Sequence, residues 1–195
     1  MTDMTARDYA KLGFDEFLES SDKEFPFSFD DVWNFMEREK ADKAWQVYID
    51  EFHKEVDESE SCLGHNMLNA VMPVEHKFTE KQYIREFRAP AEHVIVSKIH
   101  NTNHPIFLLE GDVTIVEKGV TKRVKAPYYS ITEVGTKRIV YVHEDCFFVT
   151  VHPAASTTVS DVENEILADS WGDVKLDPKC SNEVKNLLNE VRNTK

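Results

Sequence analysis

Apolar residues in the middle of the chain alternate with polar ones in short runs, whereas those towards both ends recur every three or four positions. The first pattern is typical of β-strands and the second of amphipathic helices. Eight short strands separated by turn-forming residues favour an antiparallel barrel or sandwich. The predicted strands cover residues 83–88, 94–100, 106–110, 113–117, 121–125, 128–132, 138–142 and 146–152.

The helical patterns lie on either side of these strands. The first begins at Phe29-Asp30-Asp31, where acidic residues suit the positive end of a helix dipole. We expect a break near Lys40-Ala41-Asp42 and a polar linker over residues 55–61. Two further helices are predicted near the C-terminus, one from Ser160 through Leu167 and one capped by Ser181. The apolar face of the first helix comprises Val32, Trp33, Phe35, Met36, Ala44, Trp45, Tyr48, Ile49 and Phe52.

Charge divides the chain into three segments. Residues 1–64 carry 18 acidic and 7 basic residues, residues 65–155 carry 10 and 11, and residues 156–195 carry 8 and 5. We therefore predict an acidic helical extension, a β-barrel segment and a C-terminal helical extension. The acidic helix either packs on the outside of the barrel or docks on another protein. The net charge of −13 disfavours nonspecific binding to nucleic acid or anionic membranes.

The cysteines and the apolar runs indicate the compartment. Cys62, Cys146 and Cys180 are odd in number and far apart, which argues against a disulfide framework and favours a reducing compartment. Cys146 lies in an apolar run and is expected to be a small buried residue. No apolar run approaches the roughly 18 residues of a membrane span, and the first residues lack a signal-peptide pattern. We expect a cytoplasmic protein.

Two stretches resemble the two sequence motifs of the cupin superfamily. The first runs from Lys98 through His100 and His104 to Gly111, and the second covers residues 126–138. The resemblance extends over about residues 77–153. It implies a mainly β, cupin-like antiparallel jelly-roll barrel, here with helical N- and C-terminal extensions. The segment also resembles small cupin-like proteins of tailed bacteriophages, through Lys98-Ile99-His100 with His104 and through Gly135-Thr136-Lys137-Arg138 with the residues that follow it. This resemblance implies a phage-encoded protein of the host cytoplasm or the virion, and a phage or host protein as a partner of the acidic helix.

The chain departs from the usual metal ligands of a cupin. By this resemblance, Lys98 and Arg138 stand where histidines are expected, His104 stands at the glutamate position, and only His100 keeps its type. Two cations at ligand positions would repel a divalent metal ion. A site on His100 and His104 would therefore need a third ligand, for which the candidates are His143, His152 and Glu110.

The alternative to a metal site is an anion pocket. If both point into the barrel, Lys98 and Arg138 would bind a carboxylate or phosphate, with His100 and His104 as additional donors. On the outer face they would instead pair with surface acids. If Arg138 points inward, strand alternation points Val140 and Val142 inward as well, and it points Ile139 and Tyr141 outward or into a neighbouring layer. An inward guanidinium needs an anionic partner, which would be Glu133, Glu110 or a bound anion.

Three functions remain open at this point. The first is a noncatalytic cupin-like module that binds a small ligand or a protein partner, and the second is a metal-dependent cupin enzyme such as an oxygenase, isomerase or lyase. The third is a virion structural or assembly component. No nucleophile or phosphate-loop motif is present, so we favour a protein that is not an enzyme. We also expect a homo-oligomer, formed through sheet edges or through the aromatic region of Trp33, Phe35, Trp45 and Tyr48.

Overall fold

The computed structural model describes residues 4–20, 28–63 and 65–174. The described residues from Trp45 onward form one compact unit, which contains every strand, and those before Trp45 belong to another. None of the described helices is long and apolar enough to cross a membrane. The helices are α1 (Ala6–Ser20), α2 (Phe29–Glu58), α3 (His65–Val71) and α4 (Val159–Ile166), followed by a 3-10 helix at Trp171–Asp173. The strands are β1 (Val74–Phe78), β2 (Gln82–Ala89), β3 (Val94–Val96), β4 (Ile99–His100), β5 (His104–Glu117), β6 (Val120–Lys125), β7 (Tyr128–Thr132), β8 (Ile139–Pro153) and β9 (Leu167–Ala168).

The helices differ from the sequence expectations in two places. The expected break near Lys40 is wrong, because α2 runs without interruption from Phe29 to Glu58. The expected linker over residues 55–61 is also wrong at its start, because residues 55–58 form the last turn of α2. Helix α4 matches the prediction from Ser160, and Thr158 caps it by accepting a hydrogen bond from the backbone of Asp161. The helix predicted after Ser181 lies outside the described residues.

The strands pair antiparallel in the order β1-β2-β8-β5-β6, with β3 on β8 and β7 on β5. Strands β5 and β8 are each longer than predicted, because each one joins two of the predicted strands into one. The predicted breaks between strands 106–110 and 113–117 and between strands 138–142 and 146–152 are wrong, because both gaps lie within these long strands. The pairing of β5 with β8 shifts register between Leu108 and Val113. Such irregularities bend a strand, so the single seven-stranded sheet is divided into two halves that share the long strands.

The halves of the long strands enclose an apolar core near the bend. Leu108 and Phe148 come from the halves next to β7 and β2, whereas Val113 and Val142 come from the halves next to β6 and β3. All four belong to one buried cluster. The two halves of the sheet therefore face each other, in an architecture that is mainly antiparallel β and consistent with a cupin jelly roll. Cys146 is buried in this core, as expected.

The second half of α2 packs on the strands. Trp45 and Ile49 form a buried cluster with Ile139 at the start of β8. Asp50 lies 2.7 Å from the ammonium of Lys137, whose side chain is only 8% exposed, and it accepts a hydrogen bond from the Trp171 indole. Trp45 is thus part of the core, so its expected role in an exposed aromatic oligomer surface is wrong. Burial of its indole in this cluster leaves 7% of the residue exposed.

Candidate functional site

Arg138 lies buried at the end of the core that is opposite the strand bend. Its Nη2 lies 3.2 Å from Oε2 of Glu117, and its side chain is 7% exposed. The same nitrogen donates a 2.9 Å hydrogen bond to Oγ1 of Thr132. Burial lowers the pKa of the Arg138 guanidinium, and the charge of Glu117 opposes that shift. Arginine does not lose its proton in proteins, so a charge is held here inside the fold.

The bend in β5 explains why these three residues meet. Thr132 pairs with His104 at the start of β5, whereas Glu117 is the last residue of the same strand. Folding the strand back on itself brings its two ends together, and Arg138 bridges them. The strand alternation predicted for Arg138 is confirmed further along β8. Val140 and Val142 are buried in the core, Ile139 packs against α2, and Tyr141 is partly exposed.

The ionic partner of Arg138 differs from the expected acids. Glu110 is exposed and lies 3.5 Å from Arg88. Glu133 is also exposed and lies 3.6 Å from Lys118. The expectation that either would pair with Arg138 is wrong, because Glu117 takes that place.

A cavity of about 280 Å³ opens beside Arg138. Lys122 reaches into this region and donates a 3.2 Å hydrogen bond to the hydroxyl of Tyr128. Three of the lining side chains are cationic and one is acidic, so the cavity carries a net positive charge. The lining residues are Ile115, Glu117, Lys118, Val120, Lys122, Tyr128, Ser130 and Arg138. The Nε of Arg138 is buried and has no hydrogen-bond partner among the described residues.

Three histidines cluster next to Arg138. The ring centres of His100 and His104 lie 4.8 Å apart, and those of His104 and His152 lie 3.9 Å apart. His104 and His152 are 1% and 2% exposed. The structure therefore brings together the two histidines singled out in the sequence and one of the three candidate third ligands. The other two candidates lie elsewhere, since His143 hydrogen-bonds Thr114 and Glu110 pairs with Arg88.

Burial keeps the clustered imidazoles neutral. It lowers the pKa of His100 to about 3, with the neighbouring His104 adding to the shift. It lowers the pKa of His104 to about 4 and that of His152 to about 2. Arg138 acts in the same direction on His100 and His104, because like charges in a desolvated site repel. All three rings are therefore uncharged near neutral pH.

The tautomers of two of these histidines follow from their hydrogen bonds. Nδ1 of His100 lies 3.1 Å from the carbonyl oxygen of Thr136, and Nδ1 of His104 lies 2.9 Å from that of Thr102. A carbonyl oxygen only accepts, so both Nδ1 atoms carry the proton and both Nε2 atoms carry a lone pair. Nε2 of His104 is buried with no partner among the described residues.

Lys98 lies apart from this cluster. Its side chain is 67% exposed, and its ammonium lies 3.8 Å from the carboxylate of Glu163 on α4. The expectation that Lys98 points into the barrel is wrong. The predicted strand 94–100 breaks after Val96, and β4 pairs with β9 in a separate two-stranded sheet, which resets the alternation of its side chains.

The histidine cluster does not fit a bound metal ion. Metal–nitrogen bonds of about 2.0–2.1 Å would hold the ring centres of two ligands roughly 4.5 Å or more apart, but His104 and His152 are 3.9 Å apart. The rings of His100 and His152 lie nearly parallel, at 4°, rather than aiming nitrogens at one point. Within the described ranges, no group of three or more His, Cys, Asp or Glu side chains is arranged to hold a metal. The unprotonated ring nitrogens are suitable metal ligands, but the three rings are not arranged around a common metal position.

The site also includes residues that the sequence analysis did not single out. Glu117 and Thr132 gave no signal, because their pairing with Arg138 depends on the bend in β5. Arg85 could have been predicted to face the interior from strand alternation, because it lies between Tyr83 and Phe87 on one face of β2. The structure places that face towards the histidines, with the ring centre of Tyr83 at 5.8 Å from that of His152.

No protein-family model matches the chain, and neither does any curated protein. Solved structures with partial similarity include the EutQ protein of Clostridium difficile, at 14% identity and a TM-score of 0.38, over 44% of this chain and 70% of that one. A cupin-2 domain protein of Shewanella frigidimarina has 12% identity and a TM-score of 0.36, over 42% and 79%. Salicylate 1,2-dioxygenase of Pseudaminobacter salicylatoxidans has 8% identity and a TM-score of 0.42, over 49% and 29%. Sequence identities this low do not assign the function of any of these proteins to this chain.

Proposed function

We propose that the protein is a noncatalytic, cupin-like module that binds a small anionic ligand in the cavity beside Arg138. The observation that carries this proposal is a guanidinium that is more than nine-tenths buried, lines a cavity and keeps one N–H without a described partner. A buried charge is retained only where it is paired, and a cavity lined by such a cation favours an anionic ligand.

The charges around the cavity support an anion rather than a neutral ligand. Lys118 and Lys122 line it together with Arg138, whereas Glu117 is its single acidic lining residue. Lysine acts as a point charge and arginine as a fork, so the combination suits a carboxylate or phosphate. Val120 and Ile115 add apolar walls.

The proposal is tested by titrating inorganic phosphate at constant ionic strength. We expect calorimetric binding to the wild-type chain, and about tenfold weaker binding in Arg138→Met, from the loss of one charge-assisted contact. Glu117→Gln should bind more tightly than the wild type, because the competing carboxylate is gone. Lys122→Met should weaken binding, whereas Lys125→Met should not, since Lys125 lies on the same strand but pairs with Glu144 outside the cavity. Equal binding by all variants, or none, would refute the proposal.

A metal-dependent cupin enzyme is the main alternative. It would require a metal on His100 and His104, which the stacked arrangement of the rings does not favour. Elemental analysis of protein purified without a His-tag decides between the two. Stoichiometric metal that disappears in a His100→Ala/His104→Ala double variant would favour the enzyme, and substoichiometric metal in both proteins favours the anion-binding module.

Origin, location and assembly stay proposals. We infer a phage-encoded protein of the host cytoplasm or the virion from the sequence resemblance alone, and co-purification with particles tests the virion role. Self-association is supported by an exposed apolar stretch on β7, where Tyr129 is 73% and Ile131 62% exposed. Light scattering of the full chain at high concentration checks it, and a mass of 22.6 kDa would contradict it.

A further inference from the structure

The inner face of the hairpin formed by β5 and β6 leads from the buried core to the cavity beside Arg138. The first cross-strand pair on this face is buried in the core, and all four residues of the next two pairs line the cavity. From the core outward, the three pairs are Val113–Val124, Ile115–Lys122 and Glu117–Val120. Directly opposed residues of an antiparallel pair share a face, so Lys122 faces the cavity between two valines of its own strand.

Two of the three cations that line the cavity already have a carboxylate. Arg138 lies 3.2 Å from Glu117, and Lys118 lies 3.6 Å from Glu133. Each pair brings together one positive and one negative charge, so the two charges of a pair largely cancel for a ligand in the cavity. The net charge that such a ligand meets therefore depends on the third cation, Lys122.

Lys122 has no carboxylate partner in the structure. Its ammonium lies 3.2 Å from the hydroxyl of Tyr128 and 4.7 Å from the centre of that ring. Within the described ranges, no acidic side chain lies within ion-pair distance of this ammonium, whereas Lys125 on the same strand lies 3.0 Å from Glu144. The cavity thus carries one uncompensated positive charge, next to a hydroxyl that can also donate a hydrogen bond.

The side chains next to Lys122 are apolar. Ile115, directly opposite on β5, packs against the core, and Val120 is the first residue of β6 and is 67% exposed. Apolar walls with a single charged anchor are typical of sites for ligands that have an apolar body and a charged end. The cavity volume of about 280 Å³ restricts that body to a small one.

We propose that the ligand of this cavity is a small monocarboxylate with an apolar body. Its carboxylate pairs with Lys122 and accepts a hydrogen bond from Tyr128. Its apolar body lies against Ile115 and Val120. A dianionic phosphate ester would instead place an excess negative charge near Glu117. This inference rests on the proposed function and narrows it, because any small anion satisfies that function.

Four probes separate the charge of the ligand from its apolar body. Calorimetry at about pH 8 and constant ionic strength uses acetate, butyrate, butan-1-ol and butyl phosphate, which is a dianion at this pH. We expect butyrate to bind at least about tenfold more tightly than acetate, because two more methylene groups are buried. Butan-1-ol should not bind, and butyl phosphate should bind more weakly than butyrate. Equal binding of acetate and butyrate, or tighter binding of butyl phosphate, would overturn the inference.

Variants locate the apolar body in the cavity. Val120→Ser should reduce the advantage of butyrate over acetate to about threefold or less. Val94→Ser should keep the full advantage, because Val94 is 42% exposed on β3 and does not line the cavity. Both valines are exposed, so we expect both variants to fold. An advantage that survives Val120→Ser, or that disappears equally in both variants, would refute the assignment.

Variants of the charged residues test the charge balance. Lys122→Met should weaken the binding of acetate and butyrate by the same factor, because both ligands lose the same contact. Glu117→Gln leaves a second positive charge uncompensated, so butyl phosphate should gain more affinity than butyrate does. An unchanged ratio between these two ligands in Glu117→Gln would contradict the preference for a single negative charge.

Inorganic phosphate distinguishes failure of this inference from failure of the proposed function. Butyrate should displace phosphate, because both occupy the same cavity. Phosphate binding that depends on Arg138, together with equal binding of acetate and butyrate, would keep the anion site and exclude a monocarboxylate with an apolar body. If neither phosphate nor any of the carboxylates binds, both the inference and the proposed function are refuted.

Discussion

Arg138 and Glu117 form an ion pair whose two members are unequally buried, with 7% of the arginine side chain and 31% of the glutamate side chain exposed. Removing one member therefore has a different cost from removing the other. Glu117→Ala leaves a buried guanidinium unpaired and should lower the free energy of unfolding by about 3 kcal/mol. Arg138→Met leaves a carboxylate that water can reach, and should cost about 1 to 2 kcal/mol. Urea denaturation of both variants measures the difference, and a larger loss in Arg138→Met would contradict the described burial.

The clustered histidines make stability depend on pH. Their pKa values in the fold, about 3, 4 and 2, lie below the value of 6.5 that applies when the chain is unfolded. The unfolded chain thus binds more protons below pH 6.5, so stability is complete above that pH and falls as the pH drops. We expect the free energy of unfolding to fall by at least about 1.4 kcal/mol per pH unit between pH 6 and 4.5.

A histidine variant tests whether the cluster causes this dependence. His152→Phe should reduce the slope by about 1.4 kcal/mol per pH unit, because one buried imidazole no longer resists protonation. His53→Gln removes an imidazole on α2, outside the cluster, and serves as the control. A wild-type protein whose stability is flat over this range would show that the three rings are not buried as described.

Asp50 and Lys137 connect α2 to the loop before β8. Lys137 is 8% exposed on its side chain and would be left without a counterion in Asp50→Ala. We expect a loss of about 3 kcal/mol in the free energy of unfolding, measured by urea denaturation. Asp57→Ala on the same helix removes an exposed carboxylate and should change stability by less than about 0.5 kcal/mol. Equal effects of the two substitutions would mean that this contact does not hold the helix on the strands.

Gly111 permits the bend in β5. Its φ is +97°, and a Cβ placed there would lie 2.5 Å from the carbonyl oxygen of Asp145. Gly111→Ala should destabilise the fold by more than about 2 kcal/mol, since backbone strain and a steric clash add. Gly119 has a φ of +74° but nothing within 4 Å of its Cβ position, so Gly119→Ala should cost only about 1 kcal/mol. Thermal unfolding of the two variants checks the ranking, and the reverse ranking would place the bend elsewhere.

Local sequence patterns predicted most of the strands because alternation depends only on neighbouring residues. They did not distinguish a turn from an irregularity inside a strand at Gly111, since the same small and polar residues favour both. The orientation of Lys98 was missed for a related reason, because alternation was extended across a break in the strand. The pairing of Arg138 with Glu117 depends on how β5 folds back on itself, which no local pattern encodes.

The central claim is that the cavity beside Arg138 binds an anion. Anomalous diffraction from crystals of the full chain soaked in sodium bromide tests it most directly, because bromide identifies itself by its scattering. We predict a bromide peak within about 3.5 Å of a nitrogen of Arg138 or Lys122, and its loss in crystals of Arg138→Met. Bromide peaks confined to the outer face of the strands, for example beside Arg123 or Lys125, would contradict the account.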